Sequence, residues 1–261
     1  MRFVDGQATT TTDAIAVESP LTVVLDGEVL VTTMRTPGHD LELVAGWLVN
    51  ESGVRQSDDI ASMGAFATHD DDTVDTVRVS LATDVRPPRP RAFVTSSACG
   101  VCSADVLAAF DGPDGPLMTD NWALPASEIP GLFDAMREGQ RMFDQTGALH
   151  AAALAAPDLT PLCVREDVGR HNAVDKVIGK ALFDGRVPLI DHTLVVSGRI
   201  SYEIAHKALT AGIAAIVAVS GPTSLAIDLA RAHGLVLAGF ARGTRLNIYS
   251  GDERITTEGH G

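Results

Sequence analysis

Cysteine is scarce in this 261-residue sequence: Cys99, Cys102 and Cys163 are the only three. That density excludes a small secreted scaffold braced by disulfides, so chemistry rather than cross-linking is the expected use of these thiols. Long apolar runs are missing as well. Although 45% of the residues are hydrophobic, Gly, Ser or charged residues break every run before the roughly 20 residues that a bilayer-spanning helix needs. The segment Met1 to Asp13 lacks the basic start and apolar stretch of an export signal. These absences predict a cytoplasmic protein without a membrane partner. A surplus of positive charge is absent too: 20 Lys and Arg face 34 Asp and Glu, a net charge of -14. Nucleic acid is therefore not an expected partner, because phosphate backbones require a cationic surface. No internal repeat is present.

The charge that is there is uneven. Residues 163–254 hold 11 of the 20 basic residues but 9 of the 34 acidic ones, so this segment suits a compact anionic ligand, while the acidic remainder serves equally well as a solubilising surface. Apolar residues alternate from Ile15 to Thr33 around Asp26-Gly27, which predicts a hairpin with a primed turn. Leu41, Val44, Ala45, Leu48 and Val49 recur at helical spacing from Asp40 towards Gly53, and Val77, Val79 and Leu81 alternate as a strand. The stretch Arg86-Pro87-Pro88-Arg89-Pro90-Arg91 cannot be regular structure and is the expected linker. It divides the chain into a smaller α+β part, residues 1–90, and an α/β domain, residues 91–261. The cysteine loop falls at 95–103, with a short helix expected from Ala104 to Phe110.

A helix is expected from Ser127, as its cap, to about Thr146, with Gly147 as its stop. Beyond it, short apolar strands alternate with amphipathic helices: His150 to Leu154, Leu162 to Arg165, Thr193 to Val196, Ile216 to Val219, Val236 to Phe240 and Leu246 to Tyr249. This is the pattern of α/β layering. Three polar, glycine-bearing turns open helices: Glu166 to Asn172, Ser197-Gly198-Arg199 and Ser220 to Thr223. In open α/β sheets such turns gather at the carboxyl ends of strands, where helix N-termini offer N–H groups to anions, so one shared crevice is expected.

Cys99 and Cys102 stand two residues apart just ahead of the expected helix, a position that lowers a thiol pKa and favours the thiolate. The spacing fits a redox pair, half of a metal site or a sulfur acceptor. Zinc is disfavoured, because no second close Cys or His pair supplies the four ligands and Cys163 lies in an apolar strand. A zinc deaminase needs Glu two residues after its His; after His150 that place holds Ala152, and the cysteine pair precedes the His rather than following it. Glu166, Asp167, Arg170 and His171 crowd one strand-to-helix turn, with Asp175 and Lys176 one helical turn later on neighbouring faces, as a site or as a cap with surface ion pairs. Phe240-Ala241-Arg242-Gly243-Thr244-Arg245 places two arginines around a glycine between strands, suited to phosphate or a guanine edge, or simply to a solvated turn.

Taken together, Arg35-Thr36-Pro37-Gly38, Cys99-Gly100-Val101-Cys102, the string from Arg165 to Lys176, Ser197-Gly198-Arg199 and the run from Arg242 to Tyr249 resemble the FdhD family of formate dehydrogenase accessory sulfurtransferases in order and spacing. The long Arg165 to Lys176 string is the most specific of these. The resemblance implies a cytidine-deaminase-like three-layer α/β domain and a homodimer. It also implies a sulfurtransferase that receives sulfane sulfur from a cysteine desulfurase as a cysteine persulfide. The sulfur then passes to a molybdenum cofactor, bis-molybdopterin guanine dinucleotide, bound as substrate, with formate dehydrogenase as the client. It assigns the persulfide to Cys99 or Cys102, and cofactor binding to Phe240, Ala241, Arg242, Gly243, Thr244 and Arg245. Arg170, His171, Ser197 and Arg199 of the anion-suited turns join that binding set, and no metal site is expected. Ser103 departs from the glycine common after the second cysteine. Two other functions fit the same residues: a non-catalytic cofactor chaperone and a thiol-disulfide oxidoreductase.

Overall fold

The computed structural model describes residues 1–67, 74–88, 94–95 and 112–257. β1 (Arg2–Val4) and β2 (Gln7–Thr9) form an exposed antiparallel hairpin. The hairpin expected from Ile15 starts later: β3 (Ser19–Leu25) pairs antiparallel with β4 (Glu28–Arg35), and Ile15 and Val17 stay exposed. At its turn Asp26 and Gly27 both take positive φ, 47° and 92°, as a type I′ turn requires. β5 (Ile60–Phe66), β6 (Thr76–Leu81) and β7 (Val94–Thr95) complete a five-stranded sheet in the order β5-β6-β3-β4-β7. β7 lies past residue 90 yet pairs with β4, so the N-terminal sheet draws on residues beyond the expected linker. Within that linker, Arg86 accepts a backbone hydrogen bond from Gly53 and Pro88 is buried. The cysteines of the expected loop and the helix expected at 104–110 lie outside the described residues.

α1 (Asp40–Glu51) buries Val44, Ala45, Leu48 and Val49 of the expected stripe together with Leu43, while Leu41 is only half-buried. After β8 (Leu124–Pro125), the single helix expected from Ser127 is instead two, α2 (Ile129–Gly139) and α3 (Arg141–Thr146), broken at Gln140. Ser127 is not the cap. Glu128 precedes the helix, which starts with Pro130 in its first turn, where a missing N–H costs nothing. The break is held from outside: the Glu166 carboxylate accepts the backbone N–H groups of Met142 (2.9 Å) and Phe143 (2.7 Å) at the start of α3. Gly147, at φ 66°, ends α3 as expected.

The remaining elements are β9 (His150–Ala155), β10 (Pro161–Asp167), α4 (Arg170–Phe183), β11 (Thr193–Val196), α5 (Tyr202–Thr210), β12 (Ala215–Ala218), α6 (Ser224–His233), β13 (Val236–Arg242), β14 (Arg245–Ser250) and β15 (Ile255–Thr256). β15 pairs with β8, and β10-β9-β11-β12-β13-β14 form a six-stranded sheet in that order. β11, β12 and β13 run parallel to one another, β9 is antiparallel to β10 and β11, and β14 to β13. The carboxyl ends of β10, β11, β12 and β13 therefore share one edge with the start of β9.

Alternation along the strands sorts their side chains to two faces. Ala151, Ala153, Ala155 and Val195 pack with Leu132 and Met136 of α2. Ala152, Leu154, Leu194 and Val196 join a cluster that contains α1, α4, α5 and the inner faces of β3, β4 and β6. The result is three layers, helix, sheet and helices, with the N-terminal sheet sharing the core of the third. α1 and α4 cross at their glycines: a Cβ on Gly46 would lie 1.9 Å from the Asp175 carbonyl oxygen, and one on Gly179 would lie 1.8 Å from that of Glu42. Only hydrogen fits at either place. Among the described residues no helix is long and apolar enough to cross a membrane.

Candidate functional site

The shared edge of the six-stranded sheet brings the predicted turns together. Ser197 donates its N–H to the Ala151 carbonyl, and its Oγ accepts the Ala151 N–H at 2.9 Å. Ile200 donates to the Gly221 carbonyl, and Phe240 to that of Ser220. A Cβ on Gly198 would sit 3.4 Å from His150 Nδ1 and 3.6 Å from Arg170 Cδ, so this glycine is wedged between a histidine and an arginine. Burial first, then the neighbouring Arg170 and Arg199, lower the His150 pKa and hold its ring neutral. Arg170 opens α4, behind a Gly169 that provides no side-chain cap. Among the described residues Arg170, Arg199, Arg242 and Arg245 have no carboxylate partner, and the Arg170 Nε is buried without a hydrogen bond. Such an edge attracts anions.

The Glu166 to Lys176 string does different work. Asp167 is fully buried and pairs with Lys176 at 2.7 Å; it also accepts the N–H groups of Thr36 (3.1 Å) and Gly169 (2.8 Å) and the Asn172 amide (3.0 Å). Lys176 donates further to the carbonyls of Thr36 and Glu166. Asp175 is held by Lys207 through both carboxylate oxygens, at 2.8 and 2.9 Å, and by Asn50. Arg165 pairs with Glu42 of α1. These are interior bonds that lock the Arg35-Thr36 segment and α1 onto β10 and α4, rather than surface ion pairs. His171 is buried as well, 3.1 Å from Ser201 Oγ and 3.5 Å from Glu203. Its pKa falls to about 3, through burial first and then Arg170 and Lys207. Of the charged residues in this string only Arg170 reaches the shared edge.

The Phe240 to Arg245 run is the β13–β14 hairpin. Phe240 sits at φ 53° and is 52% exposed, an uncommon backbone for an aromatic residue. A Cβ on Gly221 would lie 2.6 Å from its ring, so Gly221 provides the flat bed on which Phe240 rests. Ala241 is buried, while Arg242 pairs across the hairpin with Arg245, with Gly243 at φ 55° in the turn. The hairpin root thus joins the strand-end turns, and its arginine-bearing tip projects beyond them.

A cavity of about 640 Å³ opens beside Val219. It is lined by Phe133, Met136, Arg137, Gln140 and Phe143 of the α2–α3 pair and by His150, Val168 and Ser197 of the strand ends, among others. Cys163 lies apart from it in β10, its thiol pushed up to about 11 by burial. Among the described residues no group of three His, Cys, Asp or Glu side chains is placed to hold a metal.

Residues 16–256 match the model of the FdhD/NarQ family. A relative from Nocardia farcinica named sulfur carrier protein FdhD is 45% identical over 247 residues, covering 93% of this chain and 88% of that one. The chain belongs to the FdhD/NarQ family. A Streptomyces coelicolor protein with the same name is 43% identical over 269 residues, covering 98% and 93%. A crystal structure from Desulfotalea psychrophila, of a protein assigned as a formate dehydrogenase accessory protein, superposes with a TM-score of 0.75 over 94% of this chain and 91% of its own at 24% identity. That similarity shows the fold alone.

For this FdhD/NarQ member, sequence reasoning found the strand-end turns and the arginine hairpin. It did not find the cavity wall, because Phe133, Gln140 and Phe143 read as positions along one amphipathic helix. The signal was Gly139-Gln140 within that helix, a weak helix former where continuity was expected. His150 was weighed only as a zinc ligand; its place between Arg170 and Arg199 follows from strand order.

Proposed function

We propose that this protein is a sulfur carrier for formate dehydrogenase maturation. It takes sulfane sulfur from a cysteine desulfurase and passes it to the molybdenum cofactor, bis-molybdopterin guanine dinucleotide, bound as substrate. The observation that carries this reading is the 45% identity, over almost the whole chain, to a relative named sulfur carrier protein FdhD. The edge described above supports it: Arg170, Arg199, Arg242 and Arg245, without a carboxylate partner among the described residues, suit the phosphates of a dinucleotide, and exposed Phe240 offers a ring for stacking. Ser197 lies on that edge, the buried His171 supports it from behind through Ser201, and Ala241, Gly243 and Thr244 shape the hairpin.

In the loading step the thiolate of Cys99, with Cys102 assisting, attacks the outer sulfur of the desulfurase persulfide. A new S–S bond forms on this chain, and the desulfurase cysteine leaves as its thiolate. Both cysteines lie outside the described residues and enter by sequence alone. The three-layer domain is read as a deaminase-like backbone turned to this use, with Ala152 where a deaminase acid/base would stand; the protein is further read as a cytoplasmic homodimer, with the division near residue 90 marking its two parts.

Incubation with a cysteine desulfurase and cysteine, followed by intact and peptide mass spectrometry, tests the reading. One reductant-sensitive sulfur on Cys99 or Cys102 is the expected result. A chain that binds the cofactor but never gains sulfur would instead be a cofactor chaperone, and reversible Cys99–Cys102 oxidation with turnover of a dithiol would make it an oxidoreductase.

A further inference from the structure

The strand-end edge keeps one titratable ring among its arginines. His150 opens β9, is half-buried and lines the cavity beside Val219. A Cβ on Gly198 would sit 3.4 Å from its Nδ1 and 3.6 Å from the Arg170 Cδ, so the ring and the arginine stem approach the same point. The Arg170 Nε is buried there without a hydrogen bond, and neither Arg170 nor Arg199 has a carboxylate partner among the described residues.

The charges around the ring come from four directions. Burial first, then Arg170 at the start of α4 and Arg199 in the turn after β11, press the ring towards its neutral form, while Asp167 at the end of β10 opposes them. Asp167 is engaged by Lys176. His171, next to Arg170 on α4, is itself held neutral, its pKa lowered to about 3. From α2, Asp134 and Arg137 line the same cavity, and Arg137 is paired with Asp144. The edge thus holds two cations and a base that they keep uncharged. Three positive charges on an empty edge would repel one another. An anion between Arg170 and Arg199 cancels the two guanidinium charges, and an anionic oxygen beside an imidazole favours the imidazolium.

Resting on the anion-binding role that the sulfur-carrier reading gives this edge, we propose that His150 is its proton-coupled binding residue: a phosphoryl group lodging between Arg170 and Arg199 is taken up together with one proton from solvent, which settles on the His150 ring. The edge then carries its third positive charge only while it is occupied. The sign of the linkage is fixed. The occupied chain holds the proton more tightly than the empty one, so the anion binds more tightly as pH falls from 8 towards 5.5 and is released as pH rises.

Calorimetric titration of the full chain with dimethyl pyrophosphate tests this. The probe is a pyrophosphate diester, like the linkage of a dinucleotide, and its own charge is constant between pH 5.5 and pH 8, so any pH dependence belongs to the protein. Titrations at pH 6 in two buffers of different ionisation enthalpy give the protons taken up per anion. The parent chain should take up a measurable fraction of a proton and bind at least about threefold more tightly at pH 5.5 than at pH 8, as follows when occupancy raises the proton affinity of the ring by a similar factor or more. His150→Gln should bind with a flat pH profile and no uptake. A histidine that merely braced the strand end would leave the parent without uptake. If the variant melts early, the His150 ring titration followed by NMR in the parent, with and without the probe, reads the same quantity. No uptake in the parent, uptake that persists in His150→Gln, or failure of the parent to bind the probe would each overturn the inference. Sulfur loading on Cys99 or Cys102, read by mass spectrometry, bears on the carrier reading alone.

Discussion

Cys163 and Asp167 show how one residue's role turns on its surroundings. With its thiol pushed up to about 11 by burial, Cys163 stays protonated at neutral pH and is a poor nucleophile. Alkylation of the native chain with iodoacetamide at pH 8 should spare Cys163 until denaturant is added, and Cys163→Ala should load sulfur like the parent; early labelling of Cys163 would contradict this. Asp167 is the opposite case, a charge the interior cannot lose. Asp167→Ala strands Lys176, itself fully buried, so a loss of about 3–5 kcal/mol is expected in urea unfolding. The sequence showed Asp167 and Lys176 as members of one dense string but not their depth. Polarity is legible from a residue's name, whereas burial depends on α1 and β4, more than a hundred residues away, folding over it.

At the scale of elements, the helices and strands with strong periodicity were legible, from the Asp26-Gly27 turn to α1 and the strands of the six-stranded sheet. Helix α2–α3 was not read correctly, because its break is imposed by Glu166 from another element and leaves no local mark beyond Gly139-Gln140. Glu166→Gln, which keeps shape but removes charge from the two N–H bonds at the start of α3, should lower stability by about 1–2 kcal/mol. It should also speed amide exchange at Met142 and Phe143; unchanged exchange would show that the break forms without Glu166. The α1–α4 crossing is less forgiving. In Gly46→Ala the new methyl meets the Asp175 backbone rather than a flexible side chain, and overpacking against backbone should cost more than about 3 kcal/mol in the same unfolding assay.

For the whole molecule, two buried groups set opposing pH dependences. The unfolded imidazole of His171 titrates near 6.5, but in the native protein burial with Arg170 and Lys207 lowers it to about 3. The unfolded chain takes up that proton first, so stability present above pH 6.5 is lost as pH falls towards 3. Asp175 acts the other way. Burial raises its carboxyl from 3.8 to about 6 despite Lys207, so its contribution is full below pH 3.8 and is lost as pH rises through 6. Lys207, although buried, is itself raised by Asp175, Glu203 and Glu51, whereas the rise at Asp175 comes from burial first, with Glu203 and Glu51 adding to it. His171→Gln removes the first dependence and keeps the second. Urea midpoints at pH 7 and pH 5 should therefore show the variant losing less stability on acidification than the parent chain, and an equal loss would mean that the native ring is already charged.

The sequence by itself determined the chain's family, through motifs whose order and spacing survive from Arg35 to Tyr249, and its alternation of strands and helices, because periodicity and turn chemistry act over a few residues. Tertiary structure decided which polar residues belong to a site. The same string from Glu166 to Lys176 supplies both interior bonds and the surface-facing Arg170, and only strand order brings His150, Ser197 and Gly221 to one edge beside the cavity that Gln140 lines. Which groups meet across a sheet edge is fixed by long-range packing, and no short stretch of sequence encodes it.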